Sequence, residues 1–278
     1  MVTLDCAGRP LDLGRVAIMG ILNVTPDSFS DGGFFLDTPS AVEHARQMVS
    51  EGAHIIDVGG ESTRPGAVPI SVQQELDRVI PVIERLVREV PVTLSVDSTK
   101  PEIMRAAVAA GAGLINDVNA LQAEDAMETV AELGVPVCLT HRQGDSRTMQ
   151  ANPVYADVVA EVLEYLEDRC SACIKAGIAK NNIIIDPGFG FGKTPEHNLE
   201  LLRNLHRFTD TGFPVLAGLS RKSLIGKLLD LPVERRVNAS VALAVMAVEQ
   251  GARIVRVHDV AQTSEAIRMV EAVYPVSG

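Results

Sequence analysis

Eight short apolar runs, each followed by a segment with helical spacing, constrain the fold of this 278-residue chain more than any other feature. The runs are almost unbroken, which indicates strands that are buried on both faces of a parallel sheet. The predicted strands cover residues 16–22, 54–58, 92–97, 114–118, 135–141, 183–186, 214–220 and 253–258. The predicted helices cover residues 41–49, 72–88, 101–110, 124–133, 154–176, 196–207, 222–230, 234–250 and 261–273. Strand and helix therefore alternate along the chain.

This alternation predicts an α/β protein, a (β/α)8 TIM barrel with a short N-terminal hairpin. The hairpin is expected because Gly8-Arg9-Pro10 separates two short apolar stretches, and it should cover the bottom of the barrel. An open, doubly wound sheet uses the same alternation, but the GFGFG run at 188–192 lacks the GxGxxG spacing of a dinucleotide site. No composition change divides the chain, so we predict a single domain over residues 1–278.

Composition excludes several classes of protein. A net charge of -11 and a pI near 5.0 argue against nonspecific binding to nucleic acid. No membrane-spanning run and no signal-peptide pattern occur, so we expect a cytoplasmic protein that does not bind membranes. The four cysteines fit a reducing compartment. Cys170 and Cys173 have CxxC spacing but lack the second ligand pair of a zinc site, which favours buried thiols.

The predicted strands all end in polar residues, and in a TIM barrel these ends form the active site. The polar residues at the ends are Asn23, Asp57, Asp97, Asn116 with Asp117, His141, Asp186, Ser220 to Lys222, and Arg256 with His258. A single residue of this kind, such as Asp57 or Asp117, is better explained as a helix cap or a turn former. Eight that converge are hard to explain by capping, so together they predict a site.

The charges at the strand ends indicate two subsites. Arg64, Lys222, Arg256 and His258 near the rim suit an anion with several oxygens. Asp97 and Asp186 either form salt bridges with Lys222 or Arg256, or accept hydrogen bonds from a ligand rich in N–H groups. Asn116 can both donate and accept, and so could bind a mixed polar edge.

The loop after the first strand is long for its position. It contains Thr25-Pro26-Asp27-Ser28 and Asp31-Gly32-Gly33, two turn-forming sequences, with Phe29 between them. One interpretation is a connection whose polar residues cap the next helix. The other is a mobile flap over an active site, with Asp31 as part of it.

Seven motifs carry a resemblance to a known family. They are GILNVTPDSFSDGG, IIDVGGESTRPGA, SVDSTKPE, INDVNAL, IDPGFGFGKT, LSRKS and VRVHDV. In this order they resemble the dihydropteroate synthase family, from about Gly20 to the last helix. The resemblance implies a (β/α)8 barrel that joins 4-aminobenzoate to 6-hydroxymethyl-7,8-dihydropterin diphosphate. The products would be 7,8-dihydropteroate, a folate precursor, and diphosphate, with Mg2+ assisting.

The resemblance also implies roles for individual residues. The pterin ring would be held by Asp97, Asn116, Asp186 and Lys222, and the diphosphate by Thr63, Arg256 and His258. The aminobenzoate pocket would contain Phe29, Arg64, Pro65, Phe191, Ser220 and Ser223, with Lys222 beside it. Asn23 would take part in Mg2+ binding, and the residues that carry the chemistry would be Asp97, Lys222, Arg256 and His258. His258 has a purely structural alternative.

Two departures from the family pattern stand at the end of the fifth strand. Thr140 and Arg142 occupy positions where the family commonly has methionine. We expect the smaller, polar Thr140 to loosen packing against the pterin or to admit a water, and Arg142 to add a charge near the rim. The second loop, STRPGA, has no inserted Phe-Gly, which is typical of sulfonamide-sensitive members. The resemblance further implies a homodimer paired through the last two helices, although their apolar stripes could equally pack within one chain.

Two other functions remain as alternatives. A pterin-dependent methyltransferase of the related barrel family also binds a pterin with Asp and Asn at strand ends. Such an enzyme needs no aminobenzoate or diphosphate groups, which NVTPDSFSDGG, SRKS and VRVHDV would supply. A non-catalytic pterin-binding protein is the second alternative. The residues that argue against it are Asn23, Lys222, Arg256 and His258.

Overall fold

The structure, a computed structural model, describes residues 3–25, 38–62, 66–144 and 148–274. It begins with an antiparallel hairpin of β1 (Thr3–Cys6) and β2 (Arg9–Asp12). The other strands are β3 (Ala17–Asn23), β4 (Ile55–Gly59), β5 (Thr93–Asp97), β6 (Leu114–Asp117), β7 (Val137–Thr140), β8 (Ile183–Asp186), β9 (Leu216–Ala217) and β10 (Ile254–Val257). These eight strands form one parallel sheet in the order β8-β7-β6-β5-β4-β3-β10-β9.

The sheet curves until its two edge strands meet. Ile185 of β8 forms a parallel bridge with Val215, the residue before β9, and its N–H donates to the Pro214 carbonyl over 3.0 Å. The predicted (β/α)8 barrel with an N-terminal hairpin is therefore confirmed. The seventh strand is much shorter than the predicted 214–220, since only two residues have regular strand geometry.

The helices lie where the sequence predicts them, with small differences at their ends. They are α1 (Thr38–Ser50), α2 (Val72–Glu89), α3 (Pro101–Ala109), α4 (Ala126–Leu133), α5 (Val158–Lys175), α6 (Pro195–Arg203), α7 (His206–Thr209), α8 (Ser223–Leu229), α9 (Val237–Glu249) and α10 (Val260–Val273). The predicted helix at 196–207 is two helices, because α6 ends with its cap at Asn204. Helix α5 starts four residues later than predicted because Asp157 caps it, accepting the N–H groups of Val159 and Ala160.

The hairpin closes the barrel at the N-terminal ends of the strands, as predicted. Its inward side chains join those of the barrel strands in one apolar cluster. That cluster contains Leu4, Cys6, Leu11, Leu13, Ala17, Met19, Ile55, Leu114, Cys138, Ile184, Leu216 and Ile254. Arg9 ties the hairpin to the end of α2, where its guanidinium donates to the carbonyls of Val87, Val90 and Val92. We call this end of the molecule the floor.

A second and larger apolar cluster fills the space between the outer faces of the strands and the helices. Cys170 and Cys173 of α5 belong to it as buried free thiols, so the interpretation of the CxxC pair as core residues is confirmed. In the described ranges, no helix combines the length and the apolar character needed to cross a membrane.

Candidate active site

A pocket opens at the C-terminal ends of the barrel strands, opposite the floor; we call this end the mouth. The side chains and backbone that line it come from seven strands or from the residues that follow them. They are Ile21, Asp97, Asn116, Val118, Thr140, Asp186, Gly218, Ser220, Lys222, Arg256 and His258. Residues separated by more than 150 positions in the chain therefore face one cavity, as barrel topology requires.

Strand register explains part of this convergence. Asn23 pairs with Gly59, Gly59 with Asp97, and Asp97 with Asn116, so these four residues form one row across β3, β4, β5 and β6. In-register residues of parallel strands project to the same face of the sheet. If one residue of this row points into the barrel, the others point into it as well, at the same height along the barrel axis.

Arg256 is the centre of the charge network at the mouth. Its Nε donates to Asp57 Oδ2 over 2.6 Å, and its Nη2 donates to Asp97 Oδ2 over 2.7 Å. Asn116 Nδ2 donates to the same Asp57 oxygen over 2.9 Å. Asp97 thus forms the salt bridge that the sequence offered as one of its two interpretations, and four side chains are linked before any ligand arrives.

Asp57 is the functional-site residue that sequence reasoning undervalued. Taken alone it was expected to be a cap or a turn former, and that expectation is wrong, because the side chain is fully buried and paired with Arg256. Its Oδ1 has no hydrogen-bond partner in the structure. The alternation of side chains along the strand could have revealed this. Ile55 faces the barrel interior, and Asp57 follows it by two residues on the same strand, so Asp57 faces inward as well.

Asp117 follows the expectation that failed for Asp57. Its carboxylate accepts the backbone N–H groups of Asn119 and Leu121, at 2.7 and 2.8 Å, and so shapes the turn after β6. Arg142 donates to the Asn119 side-chain oxygen in the same turn. The Arg142 guanidinium is therefore held at the turn that follows β6.

Lys222 and Asp186 form the opposite side of the pocket. Lys222 Nζ donates to the Phe189 carbonyl and lies 4.4 Å from the centre of the Phe191 ring. Asp186 is 5% exposed, and its Oδ1 accepts the Gly188 N–H over 2.8 Å. Thr140 Oγ1 lies 3.4 Å from the other Asp186 oxygen, so the residue that departs from the family pattern does line the pocket.

Burial shifts the acid–base properties of these groups. It raises the pKa of Asp97 to about 7, although the Arg256 guanidinium acts in the opposite direction. It also raises the pKa of Asp186, and Lys222 opposes that change. Burial lowers the pKa of Lys222 to about 8, with Asp186 opposing. For Arg256, burial lowers the pKa but Asp57 and Asp97 outweigh it, so the pKa is raised and the guanidinium stays charged.

Ser220 and His258 are coupled by two contacts. The His258 backbone N–H donates to Ser220 Oγ over 3.1 Å, and the same oxygen lies 3.0 Å from His258 Nδ1. The Ser220 hydroxyl carries one proton, and we assign it to the bond with Nδ1. A neutral His258 ring then carries its proton on Nε2, which suits it to donate to an anion.

The remaining predicted residues have other positions. His141 and Arg221 end strands without lining the pocket, since His141 Nδ1 lies 2.9 Å from Lys193 Nζ and Arg221 is paired with Asp259. Ser223 is exposed at the start of α8, and Asn23 lies at the end of β3 outside the pocket lining. The candidate residues Phe29, Asp31, Thr63, Arg64 and Pro65 lie outside the described residues, as does most of the predicted flap.

Asn23 is the one Mg2+ ligand expected from the sequence. Within the described residues no group of three or more His, Cys, Asp or Glu side chains could form a complete protein cage for a metal. Mg2+ commonly keeps several waters and binds one or two protein oxygens together with substrate phosphates. A single amide oxygen at the mouth fits that kind of site.

Barrel and pocket together define a class: a (β/α)8 enzyme whose catalytic groups stand at the C-terminal ends of its strands. The family model described as pterin binding enzyme matches residues 19–258. A dihydropteroate synthase from Haemophilus influenzae is 53% identical over 262 residues, with 94% of this chain and 95% of the relative covered.

Solved structures agree with this relationship. A Xanthomonas albilineans dihydropteroate synthase with 4-aminobenzoic acid has a TM-score of 0.94 and 53% identity, and 99% of each chain is covered. The synthase from that organism in complex with 7,8-dihydropteroate has a TM-score of 0.91 and 51% identity, covering 99% of this chain and all of the other. The chain belongs to the dihydropteroate synthase family.

Proposed function

We propose that this chain joins 6-hydroxymethyl-7,8-dihydropterin diphosphate to 4-aminobenzoate, giving 7,8-dihydropteroate and diphosphate. One observation carries the proposal: acceptors for ring N–H groups and donors for an anion converge in a single pocket at the mouth. The acceptors are Asp97 and Asp186, and the donors are Lys222, Arg256 and His258. Such a pocket fits a polar ring joined to a diphosphate by a short arm.

In this proposal the pterin ring lies deep in the pocket. A dihydropterin presents an amino group and ring N–H groups, which need acceptors, and a ring carbonyl and nitrogen, which need donors. Asp97 and Asp186 accept, Lys222 donates, and Asn116 can do both. Asp57 supports this set indirectly, because it holds Asn116 and Arg256 in place. The single pterin-binding barrel domain would span residues 1–278.

The diphosphate lies nearer the rim, where the cationic groups are found. The contacts with Asp57 and Asp97 use two of the five N–H groups of Arg256, and an anion can accept from the others. His258 donates from Nε2, and Thr63 adds a hydroxyl in the sequence-based assignment. Departure of diphosphate breaks a carbon–oxygen bond, so negative charge grows on the leaving oxygens and positive charge on the pterin methylene carbon.

The buried carboxylates would favour the electron-poor ring as that bond breaks. The arylamine of 4-aminobenzoate then forms the new carbon–nitrogen bond and releases a proton. An arylamine is already nucleophilic, so no strong general base is assigned. The aminobenzoate pocket would combine Phe191, Ser220 and Ser223 with Phe29, Arg64 and Pro65, and Asp31 would belong to the flap that excludes water.

Mg2+ is the proposed cofactor, with Asn23 as its protein ligand beside the diphosphate oxygens. When bound, it would neutralise charge on the leaving group. A sulfonamide would compete with 4-aminobenzoate for its pocket. This proposal is supported by the sequence of the loop at 61–70, which carries no inserted residues.

The direct test is release of diphosphate from the pterin substrate in the presence and absence of 4-aminobenzoate. Release that depends on aminobenzoate and yields 7,8-dihydropteroate is the expected result. Diphosphate release that does not depend on aminobenzoate would contradict the synthase reaction but would be compatible with pterin binding. Transfer of a methyl group from a methylated pterin, without diphosphate chemistry, would favour the methyltransferase alternative.

We further infer a homodimer in the cytoplasm. Support for the dimer comes from large apolar side chains exposed on the last two helices: Met246 of α9, and Met269 and Val273 of α10, with Tyr274 after it. An exposed apolar patch of this kind is typical of an interface. Light scattering should give twice the mass of one chain, and Met269→Glu should give the mass of a monomer. A wild-type monomer at micromolar concentration would exclude the dimer.

A further inference from the structure

The buried lysine that the proposed chemistry does not use is Lys193, at the end of the IDPGFGFGK motif. Its side chain is 2% exposed, although a lysine is rarely buried without a specific set of partners. Nζ lies 2.9 Å from the Gly188 carbonyl, 3.0 Å from the Phe191 carbonyl and 2.9 Å from His141 Nδ1. The His141 carbonyl lies farther away, at 3.4 Å, and the three shorter contacts match the three N–H groups of an ammonium.

Both carbonyls belong to residues 187–192, which we call the glycine loop. This loop packs backbone against backbone on the residues that follow β7. A Cβ atom at Gly188 would stand 1.8 Å from the His141 carbonyl oxygen, and one at Gly192 would stand 2.4 Å from that of Gln143. Both glycines also have positive φ, at 71° and 65°. The loop can therefore come this close only with glycine at these positions.

The opposite face of the glycine loop contacts the pocket residues. The Phe189 carbonyl accepts from Lys222 Nζ, and the Phe191 ring lies against the same ammonium. The Gly188 N–H donates to Asp186 Oδ1. The Gly188 carbonyl bonds to Lys193, so one residue links the buried lysine to a pocket carboxylate.

We infer that Lys193 is a positioning residue, which holds the glycine loop so that Phe189 and Phe191 orient Lys222 while Gly188 orients Asp186. Lys193 itself does not line the pocket. Burial lowers its pKa well below the ordinary value, and His141, whose own pKa is lowered to about 3, faces it as a neutral ring. In either protonation state one hydrogen lies between Nζ and Nδ1, so the contact persists.

The inference rests on the proposed function for its kinetic test, which uses Lys193→Met. This variant keeps a side chain of similar length but removes the Lys193 donor from the Phe191 carbonyl and one of the two donors to the Gly188 carbonyl, which keeps the Phe191 N–H. We expect the KM for the pterin diphosphate to rise about tenfold, a loss of the size found when outer partners of site residues are removed. Amide hydrogen exchange in residues 187–192 should become about tenfold faster or more, because the loop opens more often.

The matched control is Arg9→Met at the floor. Arg9 also holds three backbone carbonyls, but it contacts none of the pocket residues. We expect a lower Tm with an unchanged KM and unchanged exchange in the glycine loop. A Lys193→Met protein that behaves like this control would overturn the inference, since the lysine would then contribute to stability alone.

Tyr155→Phe provides a second and milder variant should Lys193→Met fail to fold. It removes only the Tyr155 hydroxyl, which donates to the Gly192 carbonyl over 2.9 Å. We expect a smaller increase in KM and faster exchange in the same loop, and no change in either would overturn the inference. If the wild-type chain has no aminobenzoate-dependent turnover, the proposed function fails separately. Affinity for 7,8-dihydropteroate and loop exchange then test Lys193.

Discussion

The floor and the mouth of the barrel are built from the same eight strands but bury opposite kinds of side chain. At the floor, Leu4 and Leu11 of the hairpin pack on Met19 and Ile55 in a cluster without charged groups. At the mouth, Arg256 and its partners are drawn out of water instead. Burying one such apolar side chain stabilises the fold by about 1.5–3 kcal/mol, whereas each buried ion costs several kcal/mol before its partner compensates.

Stability therefore depends mainly on the floor, and binding on the mouth. A barrel needs only the apolar end to hold its strands together, and an ion network is a weak source of stability. The mouth therefore retains its charges for what they bind. Variants at the two ends should separate the two properties.

Arg256→Met should have the largest effect. Asp57 would remain buried with Asn116 as its hydrogen-bond partner and no cation beside it, and breaking such a pair costs about 3–5 kcal/mol of unfolding free energy. In the proposed function the diphosphate also loses one of its donors, so kcat/KM should fall by about 100-fold or more, equivalent to about 2.7 kcal/mol. Denaturation and steady-state kinetics measure the two effects.

The binding of a pterin that lacks diphosphate should also be measured for Arg256→Met. Its affinity should fall less than that of the diphosphate substrate. Equal losses for the two ligands would show that Arg256 does not recognise the diphosphate.

Leu4→Ala, at the floor, should lower stability and leave the kinetics nearly unchanged. Leu4 is 1% exposed and covers the barrel interior, so its truncation should cost about 2–4 kcal/mol. The KM values and kcat should stay within about twofold of wild type at temperatures well below the melting transition. A large kinetic effect with little loss of stability would contradict the separation of the two ends.

The pH dependence of pterin binding should reflect only the mouth. Below about 7, Asp97 gains a proton, so it loses its negative charge and one of its oxygens becomes a donor, and above about 8, Lys222 loses its charge. Affinity should therefore be highest between these values and fall about tenfold per pH unit beyond them. Calorimetric titrations from acid to alkaline pH would test this, and a flat profile would contradict both assignments.

Stability should show the opposite trend on the acid side. Because the pKa of Asp97 is raised above its unfolded value of about 3.9, its stabilising effect is present below that value and is lost as the pH rises through about 7. Asp97→Asn should flatten the unfolding free energy over this window. An unchanged slope would assign the shift to another group.

Thr140→Val should have the smallest effect. It preserves shape and removes the hydroxyl that lies 3.4 Å from Asp186, a long hydrogen bond worth about 0.5 kcal/mol. Pterin affinity should fall no more than about threefold. A tenfold loss would mean that Thr140 contacts the ligand directly.

The sequence predicted the barrel because apolar runs and helical spacing repeat in every unit, and each unit needs the next to bury its strand. It also found Asp97, Asn116, Asp186, Lys222 and Arg256, since polar residues at strand ends stand out against apolar runs. Asp57 was undervalued because its partner Arg256 is 199 positions away and no local pattern joins them. The distinction between Asp57 and Asp117 depends on which face of the barrel each side chain occupies.

The position of Lys193 could not be predicted for a similar reason. A lysine after a glycine-rich loop is usually exposed, and only the close packing of that loop against the end of β7 encloses it. The seventh barrel strand, β9, was predicted too long because apolar composition extends beyond the two residues that keep regular pairing.

The central claim is that the mouth alone binds the pterin, through side chains that come from distant strands. A crystal structure of the chain with 7,8-dihydropteroate tests it most directly. The pterin ring should lie within hydrogen-bonding distance of Asp97, Asn116 and Asp186, with Lys222 against it. A ring bound elsewhere, with no ligand contact to these side chains, would show that the mouth is not the pterin site.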